Sequence, residues 1–340
     1  MGYKRAGFKV LGSVDIDPEM VAVYRRNHGP KYSYCMDLRE FNELEPPPEL
    51  LNLDVLDGSP PCTTFSTAGL REETWGREKA FREGQKTQRL DDLFMVFLDT
   101  VEKLRPRAVV AENVSGMLKG NAKGYLREVL ERLRKMGYEP QLFQLNACDF
   151  DVPQGRERVF VIASRMGMPR LRMERSPMPL TTFGEVRSEA SGRRPKKGSR
   201  IESLLASRKP GDRDLGDINK RLYGKDTYFT HKIADDARPS LTITANGSFY
   251  RGCDGTYFTD EDFINVSTFP QDYDFCGKSV QYITGMSVPP SMMAHIADAI
   301  REQWVSRPEW RASRWRPCTS PSGPCSAPSP GPSWPTWSPT

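Results

Sequence analysis

The chain has 340 residues, 37% of them hydrophobic and 27% charged, a composition typical of a globular protein long enough for two domains. No apolar run approaches the roughly 18 residues of a membrane span, and the amino terminus lacks signal-peptide features, so we expect a cytoplasmic protein without a membrane partner. Seven cysteines without a close C-x-x-C pair and three scattered histidines argue against a disulfide framework or a metal site.

Strand-like and helix-like segments alternate through residues 1–164. Apolar runs predict strands at residues 8–15, 51–57, 107–113 and 158–164. Helical spacing of apolar residues predicts helices at residues 18–28, 91–104 and 125–137. This rhythm predicts an α/β fold with a doubly wound, mostly parallel sheet, in which ligands bind at the carboxyl ends of the strands.

Residues 165–237 form a basic stretch with little periodicity. From Arg165 to Lys225 there are 16 Lys or Arg against 7 Asp or Glu, whereas the net charge of the whole chain is only +5. This concentration predicts a surface for a polyanion, with a solvated arginine-rich loop as the alternative. We therefore assign residues 165–275 to a smaller, irregular domain.

The carboxyl-terminal part contains one more predicted helix and then loses its pattern. Within residues 276–305, Met293, Ile296 and Ile300 lie at helical spacing, and we expect this segment to pack back on the first domain. Residues 306–340 are rich in Pro, Ser and Trp. We expect a disordered tail there, with a Pro-rich interaction segment or translation past a frameshift as alternatives.

Two prolines directly precede Cys62 at the end of a predicted strand. Pro60 and Pro61 each fix φ near about −65° and remove a backbone donor, which restricts the approach of the thiol. Such a thiol could serve a hydrolase, which needs a histidine base, or it could add as a thiolate to C6 of a pyrimidine. The second reaction needs an acid at ring N3, and Glu112 after the strand "RAVVA" suits that role. A capping or salt-bridged glutamate is the structural alternative for this residue.

Several short motifs occur in a characteristic order and spacing. They are "PPCTTFS" (60–66), "ENV" (112–114) and "QGRER" (154–158), followed by "RPSLTIT" and "GMSVPP". Together they resemble the C5-cytosine DNA methyltransferases over roughly residues 3–305. The resemblance implies the S-adenosylmethionine-dependent methyltransferase fold, with residues 165–237 as the target-recognition segment of the smaller domain.

The resemblance also implies a role in catalysis for five residues. Cys62 would be the nucleophile, and Glu112 would contact N3 and the exocyclic amine of the target cytosine. Asn113 would help to hold the nucleophile loop. Arg158 would hold the carbonyl oxygen of the base, and Arg156 would brace the catalytic loop or the DNA backbone. The base would have to leave the duplex, because stacking blocks attack on C6.

S-adenosylmethionine is the methyl donor that the resemblance implies. The predicted cofactor residues are Asp15, Ile16, Asp37, Leu38, Pro61, Leu93 and Ser287. Asp15 matches the acid that binds the ribose hydroxyls, and Asp37 with Leu38 matches a contact to the adenine. An aspartate after a strand is also a common turn or cap residue, which is the alternative for both. Met286 departs from the Asn that the family commonly carries there.

A second departure lies at the amino terminus. Family members carry a strand and an F-x-G-x-G-G loop just before the equivalent of "RAGFKV", and this sequence has neither. Loss of that strand would leave ladder groups unpaired on a buried face. We therefore expect that translation starts upstream, or that the chain is a fragment or a pseudogene product.

The functional prediction is DNA cytosine C5 methylation, as the modification half of a bacterial or phage restriction system. The expected partners are double-stranded DNA and a cognate restriction endonuclease, with the protein itself a monomer. Two alternatives stay open: the tRNA-directed branch of the same family, and a DNA-binding remnant that has lost turnover.

Overall fold

A computed structural model describes residues 1–60, 78–79, 88–89, 92–119, 122–165, 167–225, 227–228 and 230–312. Pro61 and Cys62 lie outside these residues. Within the described ranges, every helix is too short or too polar to span a lipid bilayer.

Strands and helices alternate along most of the chain. The strands are β1 (Gly12–Asp15), β2 (Tyr32–Cys35), β3 (Val55–Gly58), β4 (Glu78–Lys79), β5 (Gln88–Arg89), β6 (Ala108–Asn113), β7 (Tyr138–Asn146), β8 (Gln154–Gly155), β9 (Glu157–Arg165), β10 (His231–Ala234), β11 (Ser240–Leu241) and β12 (Ser248–Arg251). The α-helices are α1 (Gly2–Arg5), α2 (Pro18–His28), α3 (Leu38–Glu43), α4 (Leu93–Leu104), α5 (Ala122–Lys135), α6 (Phe183–Val186), α7 (Arg200–Ala206), α8 (Leu215–Tyr223), α9 (Asp260–Val266), α10 (Val280–Met286), α11 (Pro290–Ile300) and α12 (Pro308–Ala312). Short 3-10 helices span Pro48–Asn52, Ser115–Leu118 and Ala147–Phe150, and a π-helix spans Arg301–Val305.

Four strands form the central sheet in the order β3-β6-β9-β7. β3 pairs with β6 in parallel, whereas β9 runs antiparallel to both β6 and β7. The predicted α/β fold is confirmed, and the sheet is mixed. The strand predicted at residues 51–57 is shorter than expected, because the 3-10 helix Pro48–Asn52 occupies its beginning and β3 starts only at Val55.

Helices cover both faces of this sheet. In β6, Val109 and Ala111 pack with α4 and α5, whereas Ala108 and Val110 pack with α11. This alternation is expected of a strand that lies between two layers. The apolar stripes predicted for the helices are confirmed by burial of Phe94, Phe97, Leu98, Val101 and Leu104 in α4, of Leu126, Val129 and Leu133 in α5, and of Met293, Ile296 and Ile300 in α11.

β1 and β2 form a separate parallel pair, with Asp15 opposite Cys35. Among the described strands, none joins β1 to β3 through a hydrogen-bonded ladder. The pair and the central sheet share an apolar cluster instead, in which Phe41 of α3 packs with Val14 of β1 and Leu56 of β3. The cluster therefore holds the two units together on one side.

A smaller domain has two apolar clusters of its own. One contains Phe183, Phe249 and Phe263, and the other contains Leu204 and Leu215. Three helices, α6 to α8, fall within the basic stretch for which the sequence predicts little regular structure. They are 4, 7 and 9 residues long, too short to show a clear period in the sequence.

Two apolar residues that follow the predicted domain boundary at residue 165 contact the central sheet. Met168 and Leu171 are buried in the same cluster as Phe160 of β9 and Ile300 of α11. They pack with the core of the central sheet, so the chain stays in contact with this core for several residues past residue 165. Met168 and Leu171 stand among a glycine, a proline and basic residues, so the local composition does not indicate this packing.

The carboxyl-terminal boundary also differs. The composition of residues 306–340 predicts disorder, yet Pro308–Ala312 is helical and Trp310 is only 2% exposed. The indole of Trp310 donates to Asp54 at 2.9 Å and stacks near Trp304 with ring centroids 6.2 Å apart. The tryptophans of this tail stand among prolines and serines without a periodic pattern, so nothing in the local sequence indicates the contact of Trp310.

Candidate active site

The carboxyl ends of β3 and β6 lie side by side at one edge of the sheet. The strands are parallel, with Gly58 opposite Ala111. The segment that continues from Gly58 toward Cys62 therefore leaves the sheet next to Glu112. Gly58 has no space for a side chain, because a Cβ there would lie 2.3 Å from the ring of Phe97. Phe97 thus packs directly on the backbone where this segment begins.

Glu112 and Arg158 form a largely buried ion pair. Arg158 Nε lies 2.8 Å from Glu112 Oε1, and the two side chains are 15% and 14% exposed. Burial raises the pKa of the Glu112 carboxyl, although the charges of Arg158 and Arg156 and a hydrogen bond from Ser59 act in the opposite direction. The salt bridge, which is the structural alternative for Glu112, is therefore present. Because burial has the larger effect on the pKa, the carboxyl group of Glu112 still takes up a proton more readily than an exposed glutamate does.

Asn113 links the end of β6 to the segment that precedes the nucleophile. Its side-chain amide donates to the carbonyl oxygen of Pro60 at 3.2 Å, and its Oδ1 accepts from the Val114 amide at 2.9 Å. The side chain is 5% exposed. Pro60 lies two residues before Cys62, so Asn113 holds the start of the segment in which the sequence places the thiol.

Arg156 lies inside the protein and joins two distant segments. Its guanidinium donates to the carbonyl oxygens of Ile243 at 2.7 Å and Gly285 at 2.8 Å. The residue is 2% exposed, so it presents no surface to a DNA phosphate, and the predicted contact with the DNA backbone does not fit. Gln154, which the sequence left without a role, accepts from the Ile243 amide at 3.0 Å and strengthens the same joint.

Asp15 and Asp37 follow two adjacent parallel strands. The exposed Asp15 carboxylate accepts from the Asp17 amide at 2.8 Å. Asp37 caps α3 and accepts from the Arg39 amide at 2.7 Å. Arg39 also pairs with Asp92 at the start of α4, so the carboxyl end of β2 lies at the same edge as the first turn of α4. Asp15 therefore makes the turn contact and Asp37 the cap contact that are the alternatives to cofactor binding. Both carboxylates also lie at the carboxyl ends of β1 and β2.

The apolar residues predicted to contact the cofactor, Ile16, Leu38 and Leu93, lie near this edge. Ser287, the predicted cofactor residue of the "GMSVPP" motif, makes a hydrogen bond within its own segment. Leu38 packs on Leu93 in one small cluster, and Ile16 is half-buried. Ser287 donates its hydroxyl to the carbonyl oxygen of Ile283 at 2.7 Å. Met286 is 45% exposed.

Asp57 is an acidic residue at this edge to which the sequence assigned no role. It lies in β3, and its carboxylate accepts from the Tyr3 hydroxyl at 3.2 Å. The surrounding protein raises the pKa of Asp57 to about 7, and the negative charge of Glu112 acts in the same direction. The sequence carries one indication of this residue: Asp57 is a charged residue at the end of an apolar strand, five positions before Cys62.

The basic stretch divides into residues that hold the small domain and residues that face solvent. Arg208 donates to the carbonyl oxygen of Gly252 at 2.7 Å, a contact within the domain. Arg194, Lys196 and Lys197 are exposed. The stretch is therefore more than a solvated loop, and it presents a cluster of positive charge on a folded support.

Comparisons with known proteins agree with this arrangement. The family model for C-5 cytosine-specific DNA methylase matches residues 1–302. The chain is 26% identical to the type II methyltransferase M1.HphI of Haemophilus parahaemolyticus over 325 residues, 88% of this chain and 82% of that protein. It is 31% identical to M.AgeI of Thalassovita gelatinovora over 171 residues, 49% of this chain and 37% of that protein.

Solved structures share the fold. A prophage-encoded DNA modification methyltransferase from E. coli superimposes with a TM-score of 0.64 at 17% identity, covering 89% of this chain and 94% of the other. A Spodoptera frugiperda DNMT2 mutant gives a TM-score of 0.59 at 15% identity, covering 88% and 95%. Because the family match extends over residues 1–302, this chain belongs to the C-5 cytosine-specific DNA methylase family, and its enzyme class is DNA (cytosine-5-)-methyltransferase.

Proposed function

We propose that the chain methylates C5 of a cytosine that is flipped out of duplex DNA, with Cys62 as the nucleophile. The observation that carries this proposal is the buried pair of Glu112 and Arg158 beside the backbone that leads to Cys62. A target pyrimidine at this position would meet an acid and a fixed guanidinium close to the segment that leads to the thiol. Extrusion of the base costs a few kcal/mol of stacking and pairing.

Glu112 supplies the proton that the reaction needs at ring N3. The thiolate of Cys62 forms a bond to C6, the ring electrons move toward N3, and protonated Glu112 donates to that nitrogen. C5 thereby becomes nucleophilic and accepts a methyl group. Water then takes the C5 proton, the electrons of that C–H bond form the C5–C6 double bond and expel the Cys62 thiolate, and N3 returns its proton to Glu112. The raised pKa of Glu112 supports this role, because burial makes it easier for the carboxyl group to hold the proton that it donates.

Arg158 positions the acid and the base together. Its guanidinium has several donors in a planar fork, so one N–H can bond to Glu112 while another meets the carbonyl oxygen of the cytosine. Asn113 holds Pro60 and thereby restricts the path of the segment toward Cys62. Arg156 acts at a distance, as a positioning residue that ties the Ile243 and Gly285 segments to the strand carrying Arg158.

S-adenosylmethionine is the methyl donor in this proposal. The acceptor groups at the edge suit its adenosine part, because the Asp15 and Asp37 carboxylates accept hydrogen bonds from hydroxyl and amine groups. Ile16, Leu38 and Leu93 supply apolar contacts for the adenine. Pro61 and Ser287 complete the proposed set. The cofactor supplies an electrophilic methyl group, and the protein residues orient it toward C5.

We further propose that the exposed basic residues of the small domain bind the DNA backbone. Neutralisation of phosphates by Lys and Arg supplies most of the sequence-independent affinity of DNA-binding proteins. The protein would act as a monomer and as the modification partner of a cognate restriction endonuclease. The relatives are named type II methyltransferases, which supports a role in DNA modification.

The test is transfer of a labelled methyl group from S-adenosylmethionine. Double-stranded DNA, the same DNA with cytosine replaced by 5-methylcytosine, and tRNA are incubated separately with the chain. We expect label in the cytosine of unmodified DNA only. Label in tRNA but not in DNA would contradict the proposal and favour the RNA-directed alternative, and DNA binding without transfer would favour a binding remnant.

A further inference from the structure

A cavity of about 280 Å³ lies at the edge of the central sheet opposite to Glu112 and Arg158. β3 and β6 are parallel, so they begin side by side, and antiparallel β9 ends beside the start of β6. Backbone hydrogen bonds hold these ends together, because the Arg107 amide donates to Leu53 at 3.0 Å and the Arg165 amide donates to Arg107 at 3.1 Å. The end of α4 completes the wall of the cavity. The full length of β6 therefore separates this cavity from the proposed reaction edge.

The wall of the cavity carries positive charge. Among the described residues that line it, four are basic and none is acidic, namely Lys103, Arg105, Arg107 and Arg165. Lys103 Nζ donates to the carbonyl oxygen of Asn42 at 2.6 Å. Arg105 Nε donates to the carbonyl oxygen of Glu102 at 3.1 Å. A carbonyl oxygen accepts a hydrogen bond but has no net charge, so these two contacts fix the side chains and do not neutralise them. A concave wall with charge of one sign attracts ions of the opposite sign.

Two side-chain partners hold Arg107 in this wall. Its Nη1 lies 3.2 Å from Asp54 Oδ1, and its Nη2 donates to Asn52 Oδ1 at 2.9 Å. The Asp54 carboxylate offsets the charge of Arg107. The Nε–H of the same guanidinium is buried, and it has no hydrogen-bond partner among the described residues. A buried donor without an acceptor is unfavourable, so an acceptor brought to this wall would improve the bonding of Arg107.

Arg105 takes its place in the wall with an unfavourable backbone conformation. It ends α4 with φ 47° and ψ 53°, in the left-handed region that favours glycine at the end of a helix. Residues held in such conformations are concentrated at binding and catalytic sites. Here the strained residue contributes one of the four cationic side chains, which indicates that the charge at this position matters more than the ease of ending the helix.

We propose that this cavity is an anion site that binds phosphate groups. The planar guanidinium fork of arginine matches the oxygens of a phosphate, and lysine adds a compact positive charge. The volume is just below the roughly 300–1,000 Å³ of pockets for drug-sized ligands, which suits one or two phosphate groups, as in pyrophosphate. Because the cavity lies at the opposite edge of the sheet, this activity is additional to the proposed methylation and does not depend on it.

Isothermal titration calorimetry of the 340-residue chain with pyrophosphate tests the inference. We expect saturable binding by the wild-type chain. The double variant Lys103→Gln, Arg105→Gln removes two cations from the wall and should weaken binding by about tenfold or more, because charge-assisted hydrogen bonds are lost. The matched control Arg127→Gln, Arg134→Gln removes the same charge from exposed positions on α5 and should bind pyrophosphate as the wild-type chain does.

A second measurement on the wild-type chain does not depend on how well the variants fold. Pyrophosphate should raise the melting temperature as its concentration increases, because a ligand that binds the folded state stabilises it. Saturating S-adenosylmethionine should leave the affinity for pyrophosphate unchanged, since the two edges of the sheet are separate.

Duplex DNA carries the same phosphate group, and anisotropy titrations distinguish the two sources. Weaker binding of pyrophosphate alone by the double variant supports a site for a free anion. Weaker binding of both pyrophosphate and DNA supports the site and identifies the DNA backbone as the source of the phosphate. A wild-type chain that does not bind pyrophosphate at millimolar concentrations, equal binding by the double variant, or displacement of pyrophosphate by S-adenosylmethionine would overturn the inference and leave the proposed methylation untouched.

Discussion

The properties of Glu112 depend on neighbours that are distant in the sequence. A glutamate at the end of a strand is ordinarily a charged surface residue. Here antiparallel pairing of β6 with β9 brings Arg158 to within 2.8 Å of it, and the surrounding protein raises the pKa of its carboxyl group. Burial and two guanidinium groups oppose each other, and burial has the larger effect on Glu112. The result is an acid that can hold a proton near a strand end.

Replacement of this acid tests the proposed proton transfer. Glutamine keeps the size of Glu112 but cannot donate a carboxyl proton, so Glu112→Gln should lower the methylation rate by roughly 10²- to 10⁴-fold. Duplex DNA binding, measured by fluorescence anisotropy, should change by less than about threefold, because Glu112 bears no charge that attracts phosphate. Glu128→Gln, an exposed residue of α5, is the control and should leave both unchanged. Equal decreases of rate and binding in Glu112→Gln would instead indicate a structural role.

At the scale of elements, the periodic segments can be predicted from the sequence and the irregular ones cannot. β6 and α4 are predictable because their apolar residues repeat at the spacing of a strand between two layers and of a one-sided helix. The two-residue strands β8 and β11 pair across the chain, and no local pattern indicates such pairing. The burial of Trp310 depends on Asp54 and Trp304, which the sequence cannot place beside it.

The same limit applies to the candidate site. The motifs place Glu112 and Asn113 at a strand end, and both lie there. They do not show that Arg156 is buried, because its partners Ile243 and Gly285 are 87 and 129 residues away in the sequence. They also do not single out Asp57, because its hydrogen-bond partner Tyr3 is 54 residues away in the sequence.

The exposed basic cluster of the small domain makes a prediction at this scale. The triple variant Arg194→Ala, Lys196→Ala, Lys197→Ala removes three exposed positive charges. If these side chains bind phosphates, the slope of log binding constant against log salt should become shallower by about 0.9 for each phosphate that is no longer neutralised. Anisotropy titrations with duplex DNA at several salt concentrations measure this slope.

A matched triple on the large domain controls for net charge. Arg127→Ala, Arg134→Ala, Lys135→Ala removes the same number of exposed charges from α5. We expect its slope to equal that of the wild-type chain. A small-domain triple whose slope is also unchanged would reject the assignment of this cluster to DNA binding.

Across the whole molecule, buried polar contacts tie the two domains together, alongside the exposed ion pair of Arg26 and Asp274. Arg156 and Gln154 follow the 3-10 helix Ala147–Phe150 and contact segments that return from the small domain. Hydrogen bonds from a charged donor to buried carbonyl groups contribute about 1.5–3 kcal/mol each. The joint therefore restricts how the basic cluster sits relative to the reaction edge.

Arg156→Lys tests this joint. Lysine keeps the charge but cannot reach both carbonyl oxygens with a planar fork. We expect faster limited proteolysis within residues 172–182, which connect Leu171 of the central core to Phe183 of the small domain, and a lower free energy of unfolding in urea, by about 2 kcal/mol. Arg208→Lys, whose bonds lie within the small domain, should lower stability without speeding cleavage between the domains. Identical cleavage of the Arg156→Lys and wild-type chains would contradict the proposed joint.

The most direct test of the whole account is covalent trapping on duplex DNA that contains 5-fluorocytosine. Fluorine at C5 cannot leave as a proton does, so an enzyme that attacks C6 remains bonded to the DNA after methyl transfer. In the presence of S-adenosylmethionine we expect the wild-type chain to form a denaturation-resistant complex, and peptide mapping should locate the bond at Cys62. Cys62→Ser should bind the same DNA without forming the complex. Equal trapping by both chains, or methylation of ordinary DNA by Cys62→Ser at the wild-type rate, would contradict the account.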